Sequence, residues 1–395
     1  MPMPTTSPTT SPTVAQAGAI LEIDLGALKA NYNILSKRAA PAACAAVLKA
    51  DAYGLGADRV GPALAEMGCR TFFVAHLGEG IELRRILGPG AVIYVLNGPP
   101  PNEEAADVEA EFQARDLIPV LNSPQQIEQW SRLARTQNLI LAAALHIDTG
   151  MARLGLSPDE ATGLQTAPER LSGIDLHFVV SHLACADEPG HALNRKQRQL
   201  FESLSKGLLA NRSSMGRSLA NSSAIFLGPD YHFDLVRPGI ALYGGNPTPG
   251  RKNPMAAVIR LRGKIIQVRE IDTPQSVGYG ATYRATGPRR IATVPVGYAD
   301  GYLRALSVQG VANIAGMSIP IVGRVSMDLI TLDVTEAPRE AVYPGALVDL
   351  IGGAGPSLDD VAARAGTIGY EILTSLGRRY HRRYLMGGGE EQGHE

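Results

Sequence analysis

The chain has 395 residues, which is enough for two domains or for a single α/β barrel with an appendage. Its 37 Lys and Arg residues nearly balance 38 Asp and Glu residues, which argues against a basic face broad enough to bind nucleic acid. No apolar run approaches the roughly 20 residues that cross a bilayer, so no membrane span is expected.

The first residues and the cysteines indicate the compartment in which the protein works. Residues 1–17 are rich in Pro, Thr and Ser and carry no charge, and they lack the basic start and apolar core of a signal peptide. We therefore expect a disordered tail there. The three cysteines, Cys44, Cys69 and Cys185, stand far apart without metal-type spacing. This pattern indicates a reducing cytoplasm, no disulfide framework and no metal site.

The predicted elements begin with a strand at 20–23 and a helix at 25–38. Eight further strand-like runs follow, separated by helix-like segments such as 79–87 and 194–209. The eight runs lie around Cys44 and at 71–75, 92–96, 118–121, 139–147, 175–180, 218–220 and 233–236. Strands that alternate with helices pair in parallel, and eight such units close a TIM-like (β/α)8 barrel. A doubly wound open sheet gives the same local pattern and stays as the alternative.

The pattern changes near Met255. Short β-prone runs separated by Gly and Pro continue to residue 351, and the next helix of comparable length is at 358–365. We therefore predict an α/β fold with a barrel at 18–255, followed by a mostly β C-terminal domain at 256–386 and a tail at 387–395. The segment 246–254, which contains three prolines, is the predicted hinge.

Polar residues follow the predicted strands at the end where a parallel barrel carries its chemistry. Lys49 directly follows the first run. The later runs are followed by Asp148 and Arg153, by Ser181 and His182, by Asn221 and Ser222, and by Arg237 and Gly239. We expect these side chains to meet at the C-terminal mouth of the barrel.

Each of these residues also has an ordinary structural interpretation. Lys49 either extends to solvent from a strand end or, if desolvated, loses its proton and forms a Schiff base with an aldehyde. The turn at Gly239 and Ile240 either binds a phosphate through its amides or only links a strand to a helix. Asn221 could cap a helix, and His182 could be a core histidine.

Eight motifs, taken in order, closely resemble those of bacterial alanine racemases. They are VLKADAYGLG, HIDTGMARLGL, VSHLACADE, LANSSA, VRPGIALYG, VGYGATY, VPVGYADGY and VGRVSMD. The resemblance covers residues from about 20 to 384. It implies an N-terminal (β/α)8 barrel, a β domain after it, and pyridoxal phosphate as cofactor.

The resemblance also implies roles for individual residues. Lys49 resembles the lysine that holds the cofactor covalently, and Arg237 resembles the arginine that faces the pyridine nitrogen. The implied cofactor-binding set is Lys49, Tyr53, His182, Asn221, Ser222, Arg237, Gly239 and Ile240, with Tyr53, Ser222 and the last two amides at the phosphate. Arg153 and Met327 resemble residues close to the substrate carboxylate.

Racemisation needs two bases, because one proton leaves one face of the α-carbon and another returns to the opposite face. The resemblance assigns the D-enantiomer to Lys49 and the L-enantiomer to Tyr279. Since tyrosine ionises near a pKa of about 10, Tyr279 needs nearby support, and His182 resembles the residue that links it to Arg237. In the family, the residues matching Tyr279 and Met327 complete the partner's site, which implies a homodimer.

The chain departs from the family pattern in two places. Some members have a carbamylated lysine two residues before the Asp of DTGM, where this chain has His146. Several members have a phosphate-contacting tyrosine near the C-terminus, where this chain has Arg378. Whether Arg378, Tyr380 or Tyr384 contacts the phosphate is left open.

The sequence therefore predicts a cytoplasmic enzyme that interconverts L- and D-alanine, either for peptidoglycan or for alanine catabolism. A racemase of broader specificity, acting on serine, lysine or several amino acids, is the nearest alternative. A barrel-type decarboxylase is disfavoured by Arg237 and by the lack of any cysteine beyond Cys185. A cofactor-carrier protein would need neither Tyr279 nor the second domain.

Overall fold

A computed structural model describes residues 12–100, 105–209 and 215–387. These residues form two compact units. The first unit comprises 28–242 and 246–256, and the second comprises 12–27, 243–245 and 257–387.

The strands up to residue 242 are β1 Ala19–Asp24, β2 Ala43–Cys44, β3 Ala46–Val47, β4 Thr71–Val74, β5 Val92–Val95, β6 Leu117–Leu121, β7 Leu141–His146, β8 Ile174–Val180, β9 Gly216–Ser218 and β10 Leu235–Val236. The helices over the same stretch are α1 Leu25–Ala39, α2 Lys49–Gly54, α3 Ala57–Glu66, α4 Leu77–Leu87, α5 Ala105–Ala114, α6 Pro124–Gln137, α7 Pro158–Thr166 and α8 Ala192–Leu209.

The first unit is a closed parallel barrel. Strands β3 to β9 lie side by side in chain order, and β10 pairs with β2. Because only Ala45 separates β2 from β3, the two act as one strand. Its Ala45 amide donates to the Val236 carbonyl at 2.9 Å, and the Arg237 amide donates to the Ala220 carbonyl at 2.8 Å. These bonds join β10 to its neighbours on both sides and close eight strands, which confirms the predicted barrel and excludes the open sheet.

The local sequence explains why strands and helices alternate here. Strand β6 is apolar and buried along its whole length, as expected for a parallel strand covered on both faces. Helix α6 buries Ile127 and Trp130 on one side. The hydroxyl of Ser123 accepts the Gln126 amide at 3.2 Å and caps its start, while Asn138 adopts a left-handed conformation at its end.

The second unit is mostly β, as predicted. Its later elements are β11 Ile259–Lys264, β12 Gln267–Ile271, β13 Ser276–Val277, β14 Tyr283–Arg284, β15 Arg289–Val294, β16 Val311–Ile314, β17 Met317–Pro320, β18 Ile330–Asp333, β19 Leu347–Ile351, α9 Leu358–Ala365, α10 Gly369–Ser375 and β20 His381–Leu385. Its six-stranded sheet has the order β17-β16-β19-β11-β1-β20, and β12, β15 and β18 form a three-stranded sheet.

The opening strand β1 belongs to this six-stranded sheet, although the sequence placed it with the barrel segment 18–255. It pairs antiparallel with β11, with Leu21 opposite Leu261, and parallel with β20. Glu22 forms an ion pair with Arg262, which links β1 to β11 beyond the backbone ladder. A pairing partner some 240 residues away in sequence leaves no local signal.

Part of the predicted N-terminal tail is bonded to the second unit. The amides of Gln16 and Ala17 each donate to the Thr13 carbonyl at 3.0 Å, and the Lys264 ammonium donates to the Ala17 carbonyl at 2.9 Å. These bonds give residues 13–17 a defined turn. Residues 1–11, and 388–395 of the predicted C-terminal tail, lie outside the described residues. No helix in the described part of the chain is long and apolar enough to cross a membrane.

Candidate active site

Lys49 lies at the C-terminal mouth of the barrel, at the start of an unusual turn. Within α2, residues Ala50–Tyr53 have φ between +53° and +56°, so the turn is left-handed. A left-handed helical conformation costs an L-residue roughly 1–2 kcal/mol. Such strain persists only where surrounding structure holds it, and it concentrates at functional sites. The left-handed turn therefore indicates that the surrounding structure holds the backbone in a strained conformation directly after Lys49.

The surroundings of Lys49 favour its neutral form. Burial lowers the pKa of Lys49, and the positive charge of Arg153 lowers it further, while the carboxylate of Glu79 acts in the opposite direction. A lysine with a lowered pKa has more of the unprotonated amine at neutral pH. Because the unprotonated amine is the nucleophile for aldehydes, Lys49 is suited to the Schiff-base role predicted from the sequence.

The predicted phosphate ligands come together at the end of β10. The buried hydroxyl of Ser222 accepts the amide of Gly239 at 2.9 Å and the amide of Ala241 at 3.2 Å. A Cβ atom at position 239 would lie 2.2 Å from the hydroxyl oxygen of Tyr53, so only glycine allows this approach. The hydroxyls of Ser222 and Tyr53 thus lie together at the backbone turn 239–241, and turns of this kind can bind anions through their amides. The Ile240 amide belongs to the same turn.

Asn221, the neighbour of Ser222, has a structural contact of its own. Its side-chain oxygen accepts the Ala224 amide at 3.0 Å and caps the short helical turn Ala224–Phe226. This is the capping alternative that the sequence left open. The cap holds the loop on which Ser222 lies.

Arg237 is a buried cation held by neutral oxygen atoms. Its guanidinium donates to the Ser218 hydroxyl and, at 2.5 Å, to the Ser181 carbonyl. It also lies over the Phe73 ring, 5.8 Å from the centroid. Burial lowers the pKa of Arg237 to about 10, so the side chain keeps its charge at neutral pH. The barrel therefore presents a fixed positive charge and hydrogen-bond donor at this point.

Two histidines at the mouth of the barrel remain uncharged. Burial, followed by the charges of Arg237 and Arg153, lowers the pKa of His182 to about 3. Burial and the charge of Arg237 lower the pKa of His146 to about 4. His146 bonds through Nδ1 to the side-chain oxygen of Asn122 at 2.8 Å. His146, the position at which the sequence departs from the resembled pattern, is therefore neutral.

The loop after β7 presents Arg153 at the surface. The carboxylate of Asp148 accepts the amides of Gly150, Met151 and Ala152 at 2.8 to 2.9 Å. These bonds fix the loop, and Arg153 follows it with an exposed side chain. Its charge lowers the pKa of Lys49, of His146 and of His182, which places it within electrostatic reach of the mouth.

The sequence did not reveal the role of Gln197, a buried residue that bonds to the loops after β7 and β8. Gln197 on α8 is fully buried, and its amide donates to the His182 carbonyl at 2.9 Å and to the Thr149 hydroxyl at 3.3 Å. Its oxygen accepts the Ala184 amide at 2.9 Å. The available signal was a polar residue four positions before Phe201 on the apolar side of an amphipathic helix.

Tyr279 and Met327 belong to the second unit. Tyr279 starts the short turn Tyr279–Ala281, and 73% of it is exposed, while 54% of Met327 is exposed. The Met327 carbonyl accepts the Ala299 amide at 3.0 Å, which fixes the loop that carries it. Both side chains are thus presented at the surface of their own unit.

The three residues left open near the C-terminus differ in environment. Arg378 is exposed, Tyr384 is half-buried in β20, and Tyr380 is buried. Burial raises the pKa of Tyr380 well above its ordinary value. Within the described ranges, no group of three or more His, Cys, Asp or Glu residues is arranged to hold a metal ion.

Comparison with known proteins places these features in a family. Residues 23–247 match the family described as alanine racemase, N-terminal domain, and residues 258–384 match alanine racemase, C-terminal domain. The chain is 51% identical over 379 residues to an alanine racemase of Rhodospirillum rubrum, covering 96% of this chain and 98% of that one. It is 49% identical over 373 residues to a catabolic alanine racemase of Mesorhizobium japonicum, covering 94% and 95%.

Solved structures are similar over the same extent. The alanine racemase of Bartonella henselae, crystallised with covalently bound pyridoxal phosphate, has a TM-score of 0.88 and 41% identity, covering 93% of this chain and all (100%) of that one. The biosynthetic alanine racemase of Pseudomonas aeruginosa has a TM-score of 0.83 and 36% identity, covering 93% and 99%.

Proposed function

The chain belongs to the alanine racemase family, and from this premise we propose that it interconverts L-alanine and D-alanine with pyridoxal phosphate bound at Lys49. One observation carries the assignment of the site. The turn that starts at Lys49 also brings Tyr53 to Gly239, where a Cβ atom would lie 2.2 Å from the tyrosine oxygen. The same turn therefore connects two features: a lysine suited to bind an aldehyde, and a group of donors suited to bind a phosphate.

We propose that residues at the barrel mouth hold the cofactor along its whole length. Ser222, Tyr53 and the amides of Gly239 and Ile240 would hold the phosphate, with Asn221 fixing their loop. Arg237 would face the pyridine nitrogen, and His182 would lie beside it. When bound, pyridoxal phosphate supplies a conjugated system that stabilises negative charge at the substrate α-carbon.

Arg237 sets the electronic character of that site. With a pKa of about 10 it stays protonated, and it donates hydrogen bonds instead of accepting a proton. A donor at this position would leave the ring nitrogen of a bound cofactor unprotonated, whereas a carboxylate would keep it protonated and more electron-withdrawing. We infer that Arg237 limits how long negative charge persists at the α-carbon and so suppresses side reactions.

Proton transfer in this proposal uses two bases on opposite faces. Once the substrate amine has displaced Lys49 from the cofactor, the freed Lys49 Nζ would remove the α-proton of D-alanine, and Tyr279 Oη would remove that of L-alanine. In each direction the other group would return a proton to the opposite face. Arg153 and Met327 would orient the substrate carboxylate. Since Tyr279 and Met327 are exposed on the second unit, we propose that they serve the barrel of a second copy in a homodimer.

We propose that the enzyme works in the cytoplasm, where its product enters one of two routes. D-alanine is a building block for peptidoglycan, and conversion in the other direction feeds alanine catabolism. We propose that the enzyme serves one of these two routes.

The test is a spectrum of the purified protein followed by an oxidase-coupled assay for D-amino acids on a panel of L-amino acids. We expect the visible absorbance band of lysine-bound pyridoxal phosphate and turnover confined to alanine. Turnover of serine or lysine at a similar rate would replace the substrate assignment. A protein that cannot bind the cofactor would contradict the proposal.

A further inference from the structure

We propose that Glu79 is a positioning residue for Lys49. Its carboxylate links two segments by hydrogen bonds: the left-handed turn that begins at Lys49 and the end of the neighbouring barrel strand. This inference rests on the proposed role of Lys49 as the lysine that binds the cofactor. It concerns a side chain for which neither the motifs nor the comparisons suggest a role.

The carboxylate of Glu79 joins two strands of the barrel. One oxygen accepts the amide of Ala50 at 2.6 Å, directly after Lys49. The other accepts the amides of Ala75 and His76, which follow β4, at 2.8 and 3.0 Å. Three backbone donors from two loops therefore converge on one half-buried side chain.

The Ala50 amide is the first donor of the strained segment. Residues Ala50–Tyr53 all lie in the left-handed region, which alanine and tyrosine disfavour and only Asp51 among the four tolerates more readily. A short hydrogen bond to a charged acceptor contributes more than a bond between neutral groups. Glu79 thus acts at the point where the chain turns from the barrel strand into the strained segment.

Only a carboxylate satisfies this arrangement. Both of its oxygens accept, so amides can approach from both sides. A glutamine has one accepting oxygen, and its NH2 group would face an N–H donor on the other side. Replacement of Glu79 by Gln therefore breaks the link between the two loops, although the side chain keeps its size.

Glu79 also acts on Lys49 through its charge. The groups whose charges shift the pKa of Lys49 are Arg153, which lowers it, and Glu79, which raises it. The charge of Lys49 in turn lowers the pKa of His182, so that histidine lies nearby. Asp51, in the same turn, accepts the Ala57 amide at 2.7 Å. Without the charge of Glu79, the charge of Arg153 is no longer opposed, and the pKa of Lys49 falls further.

A purely structural role has a different signature. Glu79 is the third residue of α4, where a side chain that accepts the His76 amide stabilises the start of the helix. If capping were its whole contribution, replacement would lower thermal stability and leave the ionisation of Lys49 unchanged.

The experiment measures how fast Lys49 captures pyridoxal phosphate at different pH values. The cofactor is removed from purified holoenzyme with hydroxylamine and then added back, and the lysine-bound absorbance is followed. Only the neutral amine attacks the aldehyde carbon, with loss of one water, so the midpoint of the pH profile reports the ionisation of Lys49. The variants are E79Q and, as matched control, E82Q, one turn further along the same helix and paired with Arg85.

We expect the midpoint to fall by about 0.5 to 1 pH unit in E79Q and to stay unchanged in E82Q. We also expect E79Q to bind the cofactor about tenfold more weakly. The double variant A50G/E79Q should recover most of this affinity, because glycine adopts positive φ without a steric cost, but its midpoint should stay low. If E79Q does not fold, the midpoint is measured on this double variant instead.

A wild-type midpoint in folded E79Q or in A50G/E79Q would overturn the inference, even if thermal stability fell. The variant K49A separates this failure from failure of the proposed function. If K49A still forms the lysine-bound band, Lys49 does not bind the cofactor and the proposed site itself is wrong. If K49A loses the band while E79Q behaves as wild type, only the role of Glu79 is refuted.

Discussion

The mouth of the barrel and the exposed loops of the second unit hold their functional side chains in opposite ways. At the barrel mouth, Ser222 and Arg237 are buried and fixed by hydrogen bonds. In the second unit, Tyr279 and Met327 are largely exposed. A buried, satisfied polar network holds its geometry before a ligand arrives, whereas an exposed side chain gains a fixed position only when another surface covers it. On the proposed assignment, the cofactor site would therefore be complete within one chain, whereas the second base would need the surface of a second chain.

The largest expected effect is that of replacing Lys49 by Ala. Because this removes both the covalent link to the cofactor and one base, racemisation should fall by at least about four orders of magnitude, and the visible band should disappear. The measurement is the oxidase-coupled rate together with an absorbance spectrum. K37A, at an exposed lysine of α1, is the control and should retain both properties. A K49A protein that keeps the band would refute the assignment of the cofactor lysine.

Replacing Tyr279 by Phe should separate catalysis from cofactor binding. Loss of a catalytic base costs roughly 10²- to 10⁴-fold in rate, while the preformed barrel site keeps its visible band. Rates from L-alanine and from D-alanine check the first expectation, and a cofactor titration checks the second. The control Y343F removes a hydroxyl from another exposed tyrosine and should have no effect. A wild-type rate in Y279F would exclude the tyrosine as a base.

Replacing Gly239 by Ala should weaken cofactor binding without removing any functional group. The added Cβ atom would lie 2.2 Å from the Tyr53 oxygen, so the phosphate donors must move apart. We expect the dissociation constant for pyridoxal phosphate to rise about ten- to a hundredfold, as for the loss of one or two hydrogen bonds to a charged group. The control is G163A in α7, where an added Cβ atom meets no atom within 4 Å. Equal affinity in the two variants would contradict the proposed phosphate site.

The last expected effect concerns the pH dependence of stability, not catalysis. Unfolded histidines ionise near a pKa of about 6.5, whereas burial lowers the pKa of His182 to about 3 and of His146 to about 4. Between these values the unfolded chain binds more protons, so stability should fall as the pH falls from about 6.5 to about 4. Thermal unfolding at several pH values measures this slope.

His182→Gln should flatten the pH slope of thermal stability, because the substituted side chain does not titrate. His191→Gln is the control, since His191 is exposed, and it should leave the slope unchanged. A slope that is identical in all three proteins would show that His182 titrates normally.

The barrel could be predicted from the sequence because its signal is local. Buried parallel strands are short apolar runs, and amphipathic helices separate them, so order and count are both visible in the chain. The same reasoning placed Lys49, Ser222 and Arg237 at the strand ends, where the structure has them. The pairing of β1 with β11 and β20 was not visible, since it joins segments far apart in the sequence.

The fine geometry of the site also escaped prediction. Ala50–Tyr53 contains no glycine, and the single Asp51 does not indicate four consecutive left-handed residues, so contacts from elsewhere, such as that of Glu79, hold the turn. Gln197 was missed because its role depends on which loops lie beside its helix. Tertiary contacts decide both features.

Complementation between two inactive variants tests the central claim most directly, namely that the site joins Lys49 of one chain to Tyr279 of another. K49A and Y279F are expressed together, and the activity of the mixed dimers is compared with that of each variant alone. A mixed dimer would contain one site with both wild-type residues, so random pairing should restore about a quarter of wild-type activity. No recovery in mixed dimers shown to have formed would mean that both residues act within one chain, which would contradict the account.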